Sequence, residues 1–232
     1  MKLLSIDSSG KTAAAAVTEG EALLAEGFAD EGLKHSQMLL PLIDETLKKA
    51  GVALAEIDAF AVTNGPGSFT GLRIGGSLVK GMALGRPCFA VPTLMALAFN
   101  EEKSGRTAVA LLDARRSQVY LGAYAFENGG PREVIAPCAC SVDDAQERLL
   151  KLRDPLVLLG DGASLLAHLA DGAQILMGEK MHIRGLGVAR AAAFLEPAPP
   201  EALAPAYYRL SQAEREYQLK HQKGGPNGSI GL

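Results

Sequence analysis

The sequence predicts a duplicated α/β fold of two small subdomains, and three observations carry that expectation. The chain opens on a strand–turn–strand meander, alternates strand and helix after it, and begins again with strands beyond Lys103-Ser104-Gly105. A doubly wound dinucleotide domain would instead pass directly from its first strand to a helix. Residues 1–104 therefore read as an N-terminal subdomain and 105–210 as a C-terminal one. Residues 211–232 read as an extension, partly disordered because Gly224 to Leu232 is rich in Gly, Pro, Asn and Ser.

The elements follow in order. Lys2 to Ile6 is apolar, Asp7-Ser8-Ser9-Gly10 is turn chemistry, and Thr12 to Val17 and Ala22 to Phe28 continue the meander. A helix is expected from Ser36 to Ala50, with Leu39, Ile43 and Leu47 at helical spacing and Gly51 as its cap. Ile57 to Thr63 reads as a buried strand, Asn64 to Phe69 as a glycine-rich turn, and Thr70 to Leu84 as a second helix. A strand at Cys88 to Val91 and a helix from Thr93 to Glu102 close the first half.

In the second half, strands at Thr107 to Leu112 and Gln118 to Phe126 flank Asp113-Ala114-Arg115-Arg116-Ser117. A helix near Val142 to Leu152, a strand at Leu156 to Leu159, and Gly160-Asp161-Gly162 leading into a helix come next. A short strand near Gln174 to Met177 and a helix near Leu186 to Leu195 complete it. Four prolines between Pro197 and Pro205 exclude regular helix there.

Composition narrows the function classes. With 232 residues, 48% hydrophobic and 21% charged, the chain can bury a core without disulfide or metal staples. A net charge of −3 gives no basic footprint for independent nucleic-acid binding, so any RNA substrate is expected to be held by something else. Cys88, Cys138 and Cys140 are odd in number and lack metal or redox spacing, which fits buried thiols in a reducing cytoplasm. No signal peptide is expected at the N-terminus, and no run reaches the ~20 apolar residues of a membrane helix.

Three motifs carry chemistry. The first is Leu4 to Thr12, a strand ending in Asp7 followed by Ser8 and Ser9 in a hairpin. It resembles the way actin/hexokinase-like (ASKHA) proteins, built on a duplicated ribonuclease-H-like fold, approach a nucleotide: the acid holds a metal-bound water and backbone N–H groups face phosphate. The second, Gly160-Asp161-Gly162 between a strand and a helix, has the geometry of an anion site and resembles the second phosphate loop of that superfamily. Both also suit ligand-free turns. The third, Val62 to Gly75, is neither a Walker A loop nor a dinucleotide fingerprint. Its helix contains Gly71, Gly75 and Gly76, each costing about 1 kcal/mol relative to alanine, so another backbone is expected to approach closely. That backbone belongs either to the chain's own sheet or to a partner protein.

Taken together, Leu33-Lys34-His35-Ser36-Gln37 with Leu40-Pro41, the Thr63–Gly75 loop, Asp113 to Tyr120, Gly160-Asp161-Gly162 and Pro205-Ala206-Tyr207-Tyr208-Arg209 with Ala213-Glu214 resemble the bacterial TsaB (YeaZ) family over residues 1 to 215. The resemblance implies a non-catalytic scaffold in tRNA threonylcarbamoyladenosine synthesis at position 37. It implies a TsaD homologue as partner, the TsaE ATPase through the complex, tRNA contact only indirectly, and self-association as a homodimer through the TsaD-binding surface. The expected interface residues are His35, Leu39, Ile43, Leu47, Gly71, Ile74, Gly75 and Leu78. A leucine at Gly75 is expected to wedge that interface apart and leave the fold intact.

Asp7, Ser8, Ser9, Gly160, Asp161 and Gly162 are carried as a vestigial nucleotide site, with no cofactor beyond weak ATP or ADP binding. No metal site is expected. TsaD-type proteins carry two histidines where this chain has Thr93 and Leu97, and neither side chain is an imidazole ligand. The older glycoprotease label finds no support, since His35, His168, His182 and His221 are scattered and no H-E-x-x-H occurs. The rival reading is an ATP-dependent phosphotransferase of the sugar- or acetate-kinase type, which Asp7 and Gly160 to Gly162 suit but the glycine helix does not explain.

Overall fold

The computed structural model describes residues 1–30, 35–127, 130–169 and 173–209, without the side chains of residues 35 and 167–169. The expected extension at 211–232 and the motif residues Leu33, Lys34, Ala213 and Glu214 lie outside the described residues.

Two five-stranded sheets share one topology. β1 (Lys2–Asp7), β2 (Ala13–Glu19) and β3 (Ala22–Ala29) form an antiparallel meander, and β4 (Ala59–Gly65) and β5 (Cys88–Pro92) add in parallel on the other side of β1. The order is β3-β2-β1-β4-β5. In the second half β6 (Thr107–Asp113), β7 (Gln118–Glu127), β8 (Gly130–Ser141), β9 (Leu156–Leu159) and β10 (Ala173–Ile175) repeat it as β8-β7-β6-β9-β10. β1 and β6 are thus equivalent central strands, and both end in an aspartate.

The helices are α1 (His35–Ala50), α2 (Phe69–Ala83), α3 (Thr93–Ala98), α4 (Val142–Leu149) and α5 (Gly185–Ala192). α1 and α2 cover the outer face of the first sheet through Leu39, Ile43, Leu47 and Val79, all buried with Ile6 and Phe60. α4 covers the second sheet through Ala145 and Leu149. Between the sheets lies a third core shared by both halves, in which Val91, Leu94 and Leu97 meet Tyr120, Tyr124 and Leu159. α3 packs on β6 and β7, whereas α5 packs on β1 and β2, so each half sends its last helix onto the other half's sheet. Gly185 and Gly187 allow this. A Cβ at Gly185 would stand 2.6 Å from the Ala16 nitrogen, and one at Gly187 2.6 Å from the Ala96 oxygen.

The structure differs from the sequence expectation at β8, which the sequence reading leaves unassigned. Pro131 and Pro137 argue against a strand, but β8 is the sheet edge, where a missing N–H removes no ladder bond. The helix expected after Gly162 is a 3-10 turn at Ala163–Leu169, and the helix begun at Thr93 leaves α geometry after Ala98.

Candidate functional site

Asp7 is fully buried at the end of β1. Its Oδ1 accepts from Ser9 N at 3.1 Å, from Ser9 Oγ at 2.6 Å and from Thr63 Oγ1 at 2.6 Å. The carboxylate therefore folds its own turn back and ties it to β4. Ser8 and Ser9 are also buried. Ser8 Oγ donates to the Gly71 carbonyl at 2.9 Å, and Ser9 O accepts from Ser68 N at 2.7 Å. Ser8 and Ser9 of the turn expected to face a phosphate are thus covered by the start of α2, while Gly10 is half-buried and Lys11 exposed.

That contact explains the glycine helix. A Cβ at Gly67 would lie 2.5 Å from Ser9 O, one at Gly71 would collide with Ser8 O, and one at Gly75 would collide with Ser8 Oγ and crowd Val62. Gly71 and Gly75 are buried. This corrects their assignment to a protein interface: the backbone they admit belongs to the chain's own β1–β2 turn. Leu39, Ile43 and Leu47 are corrected likewise, since they are at most 8% exposed and lie in the core beneath α1. The side chain of His35 is outside the described residues.

Ile74 and Leu78 do reach a surface. With Ser36, Thr70, Arg73, Ser77, Gly81 and Met82 they line an open, mainly apolar groove of about 720 Å³ between the start of α1 and the outer side of α2. A Cβ at Gly81 would meet nothing within 4 Å. Leu40 on α1 and Leu84 just after α2 are 54% and 84% exposed. The small and apolar outward face of α2 is therefore offset from the glycine face that the sequence pattern suggested.

In the second half, the counterpart of the Asp7 turn is Asp113 to Ser117, because both follow the central strand of their sheet. Gly160-Asp161-Gly162 follows β9 and corresponds to the residues after β4, so its reading as the second phosphate loop is corrected by the topology. Its glycines are required by close packing: a Cβ at Gly160 (φ 97°) would strike Leu111 O, and one at Gly162 would stand 2.9 Å from the Leu112 carbonyl carbon. Asp161 Oδ1 accepts from Asp113 N at 2.9 Å. Asp113 in turn accepts from Arg115 N at 2.7 Å and from Arg115 Nη1 at 3.0 Å. These bonds hold three consecutive non-glycine residues, Arg115, Arg116 and Ser117, at φ of 65°, 56° and 54°. Left-handed residues of this kind are rare singly, and a run of three persists only under such over-determination.

The sequence reading missed one feature, the path of Leu203–Arg209. Ala206 N donates to Asn64 O at 2.6 Å, Tyr207 stacks on Phe69 at 4.5 Å, and Arg73 Nε donates to Tyr207 Oη at 2.8 Å. Arg209 donates through Nη1 to the Ala114 carbonyl. The run Pro205 to Arg209 was visible as a motif, but its contacts are more than 90 residues distant in sequence and have no local signature.

Ser8 and Ser9 lie under α2, and Leu203–Arg209 runs from the loop after β4 to the turn after β6. Thr93 is buried with its hydroxyl accepting from Gly65 N at 3.1 Å, and Leu97 lies in the central core. Among the described residues, no three His, Cys, Asp or Glu side chains gather as metal ligands. No helix among them is long and apolar enough to cross a membrane.

A duplicated five-stranded unit whose two central strands each end in aspartate defines the actin/hexokinase-like (ASKHA) class of α/β proteins. A family model described as TsaD, tRNA N6-adenosine threonylcarbamoyltransferase, matches residues 31–194. A Bacillus subtilis protein named tRNA threonylcarbamoyladenosine biosynthesis protein TsaB is 30% identical over 96% of this chain and 100% of its own length. An Escherichia coli protein of the same name is 34% identical over 70% of this chain and 72% of its own. The structure of YeaZ from Pseudomonas aeruginosa superposes with a TM-score of 0.76 at 27% identity, covering 89% of this chain and 99% of that one. The chain belongs to the TsaB (YeaZ) family of tRNA threonylcarbamoyladenosine biosynthesis proteins.

Proposed function

We propose that this chain is a non-catalytic scaffold of the threonylcarbamoyladenosine-forming complex, which binds and supports a TsaD homologue in the cytoplasm. The observation that carries the reading is the groove between α1 and α2, whose Ile74, Leu78 and Gly81 offer an apolar, unobstructed helix face. Exposed apolar surfaces of this kind mark protein contacts. The same face serves self-association as a homodimer, so the two partnerships compete. TsaE joins through TsaD, and tRNA is touched only indirectly. The phosphotransferase reading is weaker, because Ser8 and Ser9, in the turn that would meet phosphate, lie under α2.

The test is co-purification with the host's TsaD homologue, followed by tRNA modification at position 37 with and without the chain. Modification is expected to depend on the chain, and the chain alone is expected to turn over no ATP. Equal modification in its absence overturns the scaffold reading, and ATP turnover by the chain alone restores the phosphotransferase.

A further inference from the structure

We propose that Arg73 and Lys80 make the α1–α2 groove a receptor for an acidic partner helix, one that carries carboxylates beside its apolar stripe, and that the same two cations weaken pairing of the groove with a second copy of this chain. The inference rests on the scaffold reading and names the chemistry of the partner that reading requires. α2 reads FTGLRIGGSLVKGMA, with Arg73 and Lys80 as its charged residues and no acid. Arg73 lines the groove, and Lys80 stands next to the lining residue Gly81. Both are exposed. Their spacing is close to two helical turns, so both side chains leave one face of α2, about 10 Å apart along its axis.

Among the described residues, neither cation has a carboxylate of its own. Arg73 engages only Nε, which donates to Tyr207 Oη at 2.8 Å, and both its terminal nitrogens keep their donors uncommitted. The acids of α1, Asp44 and Glu45, are taken by Lys48 and Lys49 at 2.6 and 2.7 Å. No described residue lining the groove is acidic. An apolar groove edged by cations alone fits a helix that supplies the opposite charge. A guanidinium takes a carboxylate through two parallel hydrogen bonds, and opposite charges at an interface rim speed encounter and select the partner. A second copy of the chain fits less well. In a twofold contact the same patch faces itself, so Arg73 and Lys80 would meet another groove without an acid, and like charges set against each other cost affinity.

Analytical ultracentrifugation of the full chain, alone and with the host's TsaD homologue, tests this at about 0.1 M and about 1 M sodium chloride, where charges reach about 10 Å and about 3 Å. Salt is expected to move the two associations in opposite directions: binding of the TsaD homologue weakens by about fivefold or more, and self-association tightens. At the lower salt, the double variant Arg73→Gln/Lys80→Gln is expected to bind the TsaD homologue about tenfold more weakly and to self-associate about threefold more tightly, with circular dichroism as the check on folding. Tyr207→Phe removes the hydroxyl that Arg73 engages and keeps both charges, so it should bind as the parent does. Should the double variant not fold, Lys80→Gln alone is expected to weaken TsaD binding about threefold. A parent that binds the TsaD homologue with an affinity that neither salt nor these substitutions change overturns the inference and leaves the scaffold reading standing. Self-association that weakens with salt overturns it as well. A parent that does not bind the TsaD homologue at all sinks the scaffold reading, and this inference with it.

Discussion

Ser8 and Gly71 share a hydrogen bond and leave no space beside it: Ser8 Oγ donates to the Gly71 carbonyl at 2.9 Å, and a methyl group on Gly71 would collide with the Ser8 carbonyl oxygen. Gly71 and Gly75 are therefore part of the wall of the Asp7 turn, and their substitution tests the fold before it tests any partner.

Gly71→Ala and Gly75→Leu are expected to destabilise the chain, by about 1–3 kcal/mol or more, as overpacking against backbone does. Urea denaturation followed by circular dichroism measures it. Gly81→Leu, where a side chain meets nothing within 4 Å, is expected to keep or raise the midpoint, since a helix-interior glycine costs about 1 kcal/mol. A Gly75→Leu protein as stable as the parent would return that glycine to the interface.

Docking is expected to be lost through Ile74 and Leu78. Both are half-buried on the groove and neither lies in a fully enclosed core position. Ile74→Asp and Leu78→Asp should keep the fold and weaken both self-association and TsaD binding by about 10- to 100-fold, the range of an interface anchor at about 1.4 to 2.8 kcal/mol. Light scattering and pull-down of each variant give the answer. Undiminished binding by both places the contact elsewhere.

Asp161→Ala is expected to loosen the Asp113–Gln118 turn. The substitution leaves Asp113 N without its acceptor and frees the restraint on three left-handed residues. The cost should be about 1–3 kcal/mol, that of a hydrogen bond to a charged group. Hydrogen exchange should quicken between Ala114 and Gln118. Protection identical to the parent's would show that the Arg115 contacts alone hold the turn.

Stability should fall at alkaline pH. Burial, and secondarily the neighbouring Cys138, push the Cys140 thiol up to about 11 from 9.0. Burial also raises Tyr124, with Glu133 and Tyr208 adding to the effect. Both groups bind their protons more tightly folded than unfolded. Their contribution is complete below the unfolded pKa values of 9.0 and 10.0, and it is lost as pH rises from there through the folded ones. Melting temperatures between pH 8 and 11, about the range these groups span, should decline more steeply in the parent than in Cys140→Ala/Tyr124→Phe. Parallel profiles would refute the assignment.

Sequence alone determined the parts whose signal is local. The meander ending in Asp7, the alternation that repeats after Gly105, and the motifs that place the chain in its family are all legible, because hydrophobic period, turn chemistry and glycine spacing act within a few residues. β8 was hidden by Pro131 and Pro137, since a single strand does not announce that it will be an edge. The faces of α1 and α2 were misassigned for a related reason. A stripe such as Leu39, Ile43 and Leu47 shows that something is covered, yet the covering surface is the chain's own sheet. Only the tertiary structure decided that Gly71 meets Ser8, that Asp161 serves Asp113, and that Arg209 reaches Ala114. These pairs lie 63, 48 and 95 residues apart. Contacts at such separations are fixed by how two sheets and their exchanged helices close on a common core, a property no window of the sequence contains.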